Sequence, residues 1–227
     1  MARDPMPPTA CGLIETIRVR EGRLPFLAWH LARLERSRAA LGLAPPGRDV
    51  ARLVAPFAAM GEAVLRVELR DGDVSVTVRE LPALAAPVVV TAGRAHVPYP
   101  HKTTARDVFE DALAEGQGAG ADDALLLTAA GLVAEGTVCS LFWWEGERLC
   151  TPELALGILP GIGRARVLEL ASVAEGSFAR VALSGRSVFL TNAVRGIVPL
   201  ESLDGEPVPG DPRTDALARS FWPAAQD

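Results

Sequence analysis

Two runs of alternating apolar and polar residues, 63–69 (AVLRVEL) and 74–81 (VSVTVREL), flank the turn Arg70-Asp71-Gly72-Asp73. Alternation with period two buries one face of a strand, and an Asp-Gly turn between two such runs closes a β-hairpin. The apolar face of that hairpin needs a cover, and the preceding residues supply candidates. Residues 12–20 (GLIETIRVR) read as a strand ending at the turn signal Glu21-Gly22. Residues 24–43 place Leu27, Leu31, Leu34, Ala39 and Leu41 on a helical stripe that stops at Gly42. Residues 48–60 read as a second helix, interrupted at Pro56. A small N-terminal α/β domain over 1–95 is expected.

The remainder, 96–227, reads differently. Residues 99–104 (YPHKTT) form a loop in which Thr104 is a candidate cap for a helix over 105–114, and 116–120 (GQGAG) reads as a second loop. Short strand-like pieces come next at 124–128, 133–135, 140–144 and 147–150. The glycine-rich 157–163 leads into a helix over 164–174, with late strands at 188–191 and 197–200 and a last helix over 212–221. The expected fold class is α/β (α+β), with a C-terminal β-rich domain and a boundary in the Pro-flanked 91–100.

Composition excludes several function classes. At 49% hydrophobic and 22% charged, 227 residues can bury a sizeable core. A net charge of −5 argues against general electrostatic binding of nucleic acid or an anionic membrane. No apolar run reaches the roughly 18 residues of a spanning helix, and the proline-containing start does not read as a secretory signal. Cys11, Cys139 and Cys150 lack metal-ligand spacing, as do His96 and His101, so no metal is assigned and a reducing cytoplasm is expected.

The sum of 23 Lys and Arg hides an asymmetry: 22 are Arg and one is Lys102. With 37 Ala in the chain, codon bias accounts for the arginines. A guanidinium cannot replace an amine that must deprotonate and attack a carbonyl, so Lys102 is either a residual surface cation or a nucleophile. Other candidates carry the same ambiguity. The loop 157–163 is a plain connector or, through the N–H groups at a helix start, a phosphate site. Glu135, in a mostly apolar segment, is a strand-end surface residue or a buried carboxylate needing a partner. Thr191 and Asn192, at a strand end, are loop formers or ligand contacts. His30 and Arg33 lie one turn apart on the first helix; the simple readings are a packed or capped surface group and a solvated one.

Five blocks carry a resemblance that bears on these readings: HLARL (30–34), HKTTARDVF (101–109), LVAEGTVCSLFWW (132–144), TPELALGILPGIGRARV (151–167) and FLTNAVRGIVPL (189–200). In this order and spacing the chain resembles the class IV pyridoxal-phosphate enzymes, over about residues 12–205. GLIETIRV and HKTT look most like the aminodeoxychorismate lyase-like branch. The resemblance implies the D-amino-acid aminotransferase-like fold (fold type IV), pyridoxal 5'-phosphate as cofactor between the two domains, a small-molecule amine substrate and a homodimer. It implies Lys102 as the Schiff-base lysine and Glu135 as the partner of the pyridine nitrogen. Arg33 and the N–H groups of Ile162 and Gly163 would hold the phosphate. Asn192 and Arg106 would lie near the cofactor ring or the substrate.

The implied activity is 4-amino-4-deoxychorismate lyase, which releases pyruvate to leave 4-aminobenzoate. The alternatives are a branched-chain or D-amino-acid aminotransferase, and a protein that binds the cofactor or another phosphate without turnover. Some positions depart from the family pattern. Asp107 stands where aminotransferases often carry a Tyr that bonds the cofactor hydroxyl. Gly163 and Ala193 replace common hydroxyl residues of the phosphate cup, and Ser140 replaces a common Asn. The family usually has twenty or more residues before the first strand, so an edge strand is expected to be missing.

Overall fold

The hairpin forms with Asp71 and Gly72 as its two-residue loop, both at positive φ (53° and 85°), the backbone that matches the twist of the strands it joins. The structure is a computed structural model and describes residues 11–81 and 85–224. The proline-containing start, expected not to be a secretory signal, lies outside the described residues apart from Cys11.

The chain divides into two units. One comprises residues up to 81 together with His101–Ala105; the other comprises 85–100 and everything from Arg106 onward. In the first unit, β1 (Leu13–Arg20), β2 (Glu62–Arg70) and β3 (Asp73–Arg79) form an antiparallel sheet in the order β1-β2-β3. The register runs from Leu13 opposite Leu69 to Arg20 opposite Glu62. Period two puts Leu13, Ile17 and Val19 on one face, where they pack with Leu65, Val67 and Leu69. Helix α1 (Leu27–Ala40) covers that face through Leu34, with Leu27 and Leu31 beside it. Helix α2 (Val50–Val54), capped by the Asp49 side chain accepting from Arg52 N at 3.2 Å, adds Val50 and Val54. Pro56 turns the chain into a 3₁₀ segment over Ala55–Met60.

The second unit holds two five-stranded sheets. The first contains β4 (Val88–Ala95), β5 (Asp123–Leu127), β6 (Val133–Gly136), β12 (Ser202–Leu203) and β13 (Glu206–Pro207), in the order β13-β12-β4-β5-β6. The other contains β7 (Ser140–Glu145), β8 (Arg148–Pro152), β9 (Val173–Gly176), β10 (Val188–Asn192) and β11 (Gly196–Pro199), in the order β11-β10-β7-β8-β9. Val89, Leu125 and Val133 of one sheet share a core with Leu141, Trp143, Val188 and Leu190 of the other. Helix α3 (Asp107–Gly118) packs Phe109 and Ala112 against Ala92, Ala124 and Leu126. Helices α4 (Ile162–Leu170) and α5 (Pro212–Ser220) complete the unit.

Several expectations are corrected. The division does not fall at residue 95: β4 pairs in parallel with β5, which ties 88–95 to the second unit. Lys102, expected in the C-terminal domain, belongs to the first unit, because its segment pairs with β1. Ile14 N donates to Lys102 O at 2.8 Å, Thr104 N to Gly12 O at 2.9 Å, and Leu13 bridges Thr103. Thr104 is therefore no helix cap. Its hydroxyl accepts from Gly12 N at 3.0 Å, and α3 starts at Asp107 without a side-chain cap. Gly116 and Gly118, expected in a loop, are helical; a Cβ on Gly116 would lie 3.2 Å from Asp123 O, so this glycine permits close approach of α3 to β5. Helix α4 begins two residues earlier than expected and ends by Leu170, leaving 173–176 as the edge strand β9. Among the described residues no helix is long and apolar enough to cross a membrane.

Candidate active site

In the first unit the site is built on Glu15. It occupies the core-facing side of β1, in phase with Leu13 and Ile17, and is 2% exposed. A carboxylate there requires compensation, and α1 supplies it from two positions one turn apart. Arg33 donates through Nε to Oε1 at 2.8 Å and through Nη2 to Oε2 at 2.6 Å, a two-pronged pair. His30 Nδ1 lies 2.6 Å from Oε2. Burial pushes the Glu15 carboxyl upward, but the Arg33 charge and the His30 and Arg33 hydrogen bonds outweigh it and hold it at about 2. Burial pushes the His30 imidazole down, and the Arg33 and Lys102 charges add to this against the pull of Glu15. His30 is therefore neutral near pH 7, with its proton on the nitrogen facing Glu15. Its Nε2 is buried without a hydrogen-bond partner. Both residues are buried rather than surface groups, so the simple readings of His30 and Arg33 are overturned.

The segment bearing Lys102 lies against this cluster. His101 Nδ1 is 3.1 Å from the Ser37 hydroxyl, one turn beyond Arg33 on α1. The main-chain bonds from Ile14 N to Lys102 O and from Thr104 N to Gly12 O fix the backbone at the lysine and two residues beyond it. The amine is thus carried by a segment tied to the start of β1 by main-chain hydrogen bonds at Lys102 and Thr104.

In the second unit Glu135, on β6, is 5% exposed and has the partner its environment demands. His96 Nε2 lies 2.9 Å from Oε1, and Leu159 N reaches both carboxylate oxygens, at 3.2 and 3.3 Å. The surface reading of Glu135 is overturned. Leu159 belongs to the glycine-rich loop, which is also held by Tyr99 N donating to Gly157 O at 2.7 Å. Gly157 has φ 79° and lies so close to Pro98 that a Cβ would sit 2.9 Å from its ring.

That loop delivers the start of α4. The first N–H groups of a helix have no partner within it, and Gly161 at the N-cap offers no side-chain acceptor. Ile162 and Gly163 are the first two residues of the helix, both buried. Gly163 presses on the end of β10: a Cβ there would lie 2.7 Å from Asn192 Cα and 2.7 Å from Thr191 Oγ1. Thr191 is 2% exposed, and its hydroxyl has no hydrogen-bond partner. Unpaired N–H groups, a helix N-terminus and an orphaned buried hydroxyl together make a cup suited to an anion.

The other expected residues fall nearby or have other duties. The Asn192 side chain builds the turn after β10: Oδ1 accepts from Val194 N at 2.9 Å and Arg195 N at 2.8 Å, and Nδ2 donates to Val138 O at 3.3 Å. Arg106 donates to Thr137 O at 2.7 Å, and its guanidinium lies 5.1 Å from the centre of the Phe109 ring. Asp107 is exposed in the first turn of α3, where a negative charge suits the helix dipole.

A family model described as amino-transferase class IV matches residues 12–203. The chain belongs to the class IV aminotransferase family. Aminodeoxychorismate lyase of Bacillus subtilis (strain 168) is 32% identical over 88 residues, which are 36% of this chain and 30% of that protein. The matched segment thus spans less than a third of that relative's length. A Legionella pneumophila structure proposed as a 4-amino-4-deoxychorismate lyase superposes with a TM-score of 0.84 at 25% identity, over 92% of this chain and 89% of its own. A Mycobacterium tuberculosis protein described as a hypothetical aminotransferase, in its PLP-bound form, gives 0.79 at 22% identity, over 92% and 86% of the two chains. The last likeness speaks to the fold alone. The class IV chain has the mixed α/β architecture of fold type IV that the sequence resemblance implies.

Glu15 and His96 are components that sequence reasoning missed, whereas Thr191 was among the candidate ligand contacts. Glu15 did carry a signal, an acid in phase with the apolar face of LIETIRV. His96 carried none, because its partner lies 39 residues away.

Proposed function

We propose that this class IV enzyme binds pyridoxal 5'-phosphate and acts as a 4-amino-4-deoxychorismate lyase, releasing pyruvate and leaving 4-aminobenzoate. The observation that carries cofactor binding is the buried, partnerless Thr191 hydroxyl beside Gly163 at the uncapped start of α4. The residues present fit the group. The N–H groups of Ile162 and Gly163 and the Thr191 hydroxyl suit a phosphate; Arg33, expected to hold the phosphate too, has its Nε and Nη2 on Glu15. Glu135 suits a protonated ring nitrogen, and Lys102 is the amine that would hold the aldehyde. When bound, the cofactor supplies an electron sink for the carbon next to the substrate amine.

In this reading the Lys102 amine would take the proton from the amine-bearing carbon, and a proton would be returned to the methylene of the departing enolpyruvyl group. Aromatisation of the ring then drives loss of pyruvate. Arg106 is assigned to the substrate. Relatives named as lyases and relatives named as aminotransferases are both similar to this chain; the observation that favours a lyase is the exposed Asp107, where aminotransferases often place a cofactor-bonding Tyr.

The test starts from purified protein loaded with cofactor. Aminodeoxychorismate with no keto acid added is expected to yield pyruvate and 4-aminobenzoate. Sustained turnover of L- or D-amino acids only when 2-oxoglutarate or pyruvate is supplied would instead identify a transaminase. A visible cofactor band with no reaction toward any amine would identify a binding protein. Lys102→Ala is expected to abolish the visible band and lower turnover by at least about a thousandfold; if band and turnover survive, the assignment of the amine is wrong.

A further inference from the structure

Resting on the reading of Glu135 as the carboxylate for the cofactor's ring nitrogen, we propose that His96 is a positioning residue that decides which oxygen of Glu135 is presented to that nitrogen. His96 lies outside all five sequence blocks that carry the family resemblance, so the resemblance gives it no role. The geometry does. Its Nε2 is 2.9 Å from Glu135 Oε1, with side chains only 1% and 6% exposed. The remaining contact to the carboxylate, from Leu159 N, is long and shared almost equally at 3.2 and 3.3 Å, so it cannot distinguish the two oxygens. His96 does distinguish them, leaving Oε2 with no short bond from this pair of donors.

The imidazole is itself held in place. His96 comes directly after β4, its N–H donates to Leu127 O at 2.7 Å, and its ring meets Phe109 nearly edge-on, with centroids 5.9 Å apart. It reaches Glu135 on β6 across the intervening β5. A buried carboxylate with one oxygen satisfied has its second oxygen directed and ready for a cationic N–H. Without the imidazole, the carboxylate could rotate and spread both oxygens over the single amide of Leu159, losing that preorganisation.

Two variants separate positioning from bulk packing. His96→Leu removes the donor and keeps much of the volume; His96→Gln keeps an amide N–H at nearly the reach of Nε2. Pyridoxal phosphate is titrated into cofactor-free protein, and Kd and the visible absorption are recorded. His96→Leu is expected to weaken binding about tenfold and to shift the visible band, with Gln restoring both close to wild type. Nitrogen NMR of the histidine-labelled, cofactor-free wild type is expected to find the proton on Nε2 of His96, and this does not depend on any variant folding. A neutral ring with its proton on Nδ1 overturns the proposal. So does a wild-type Kd and band in His96→Leu, or an equal loss in both variants, which would mark a packing role. If the wild type binds no pyridoxal phosphate at all, the cofactor reading fails first and takes this inference with it.

Discussion

Glu15 shows how a single buried charge can organise the residues around it. Its position in β1 faces the apolar layer, yet it carries a charge that the folded state keeps ionised down to a pKa of about 2. Against an ordinary value of 4.5, the depression contributes roughly 3 kcal/mol of stability. The sign comes from the direction of the shift: the contribution is complete above about pH 4.5 and is lost as pH falls toward 2. The lowered His30 acts in the same sense, favouring the unfolded state once pH drops below about 6.5. Asp123 acts in the opposite sense. Its burial raises its carboxyl against the bonds from Thr137 and Ala124, so its contribution is present at low pH and lost as pH rises through the folded value. Urea unfolding of Glu15→Gln at pH 7 is expected to show a loss of about 3–5 kcal/mol, the cost of stranding buried Arg33. Its stability should also fall less steeply than wild type between pH 4.5 and 3. The His30/Arg33 spacing told from sequence that the two share a helix face. It did not tell which face, because the acid that buries them sits on another element.

At the scale of elements, the anion cup depends on how closely α4 approaches β10. Gly163 replaces a hydroxyl residue common in the family, and the structure gives a reason: Asn192 Cα and N and Thr191 Oγ1 fill the space a side chain would need. Likewise Ser140 Oγ lies 2.8 Å from where a Cβ on Gly161 would be, so a small residue at 140 goes with the glycine at 161. Gly163→Ala is expected to destabilise the protein by about 1–3 kcal/mol through overpacking against backbone and to weaken pyridoxal phosphate binding at least about tenfold. Gly118→Ala, with nothing near its added Cβ, is the control, expected to leave binding unchanged and to stabilise by up to about 1 kcal/mol. Thermal melts and a cofactor titration of both variants check this. The loop-then-helix signal at 157–163 was readable in the sequence as a helix start. The family resemblance already put Ala193 in the cup, but how closely the end of β10 packs on Gly163 was not readable, since nothing in FLTNAV records what lies against it.

For the whole molecule, the division into two units places the proposed amine and the proposed ring-nitrogen carboxylate in different units. A ligand that binds only the folded chain stabilises it by mass action. At roughly one hundred times its Kd, pyridoxal phosphate is expected to add about 2.7 kcal/mol. For a chain of this length that corresponds to a rise in thermal midpoint of about 5–10 °C. Scanning calorimetry with and without cofactor measures it. An unchanged midpoint at saturating concentration would contradict the cofactor reading.

Local patterns by themselves determined the hairpin, the amphipathic first helix, the helix start at the glycine loop and the singularity of Lys102. These depend on period, turn chemistry and composition within a few residues of each other. Tertiary structure alone decided the partners of the buried charges, Glu15 with Arg33 and His30, and Glu135 with His96. It also decided that the lysine segment joins β1, and that the 88–95 strand belongs to the C-terminal unit. The reason is physical: a charge can enter an apolar layer only where another element brings its counterpart. Which elements meet is set by packing over the whole chain, not by neighbours in sequence.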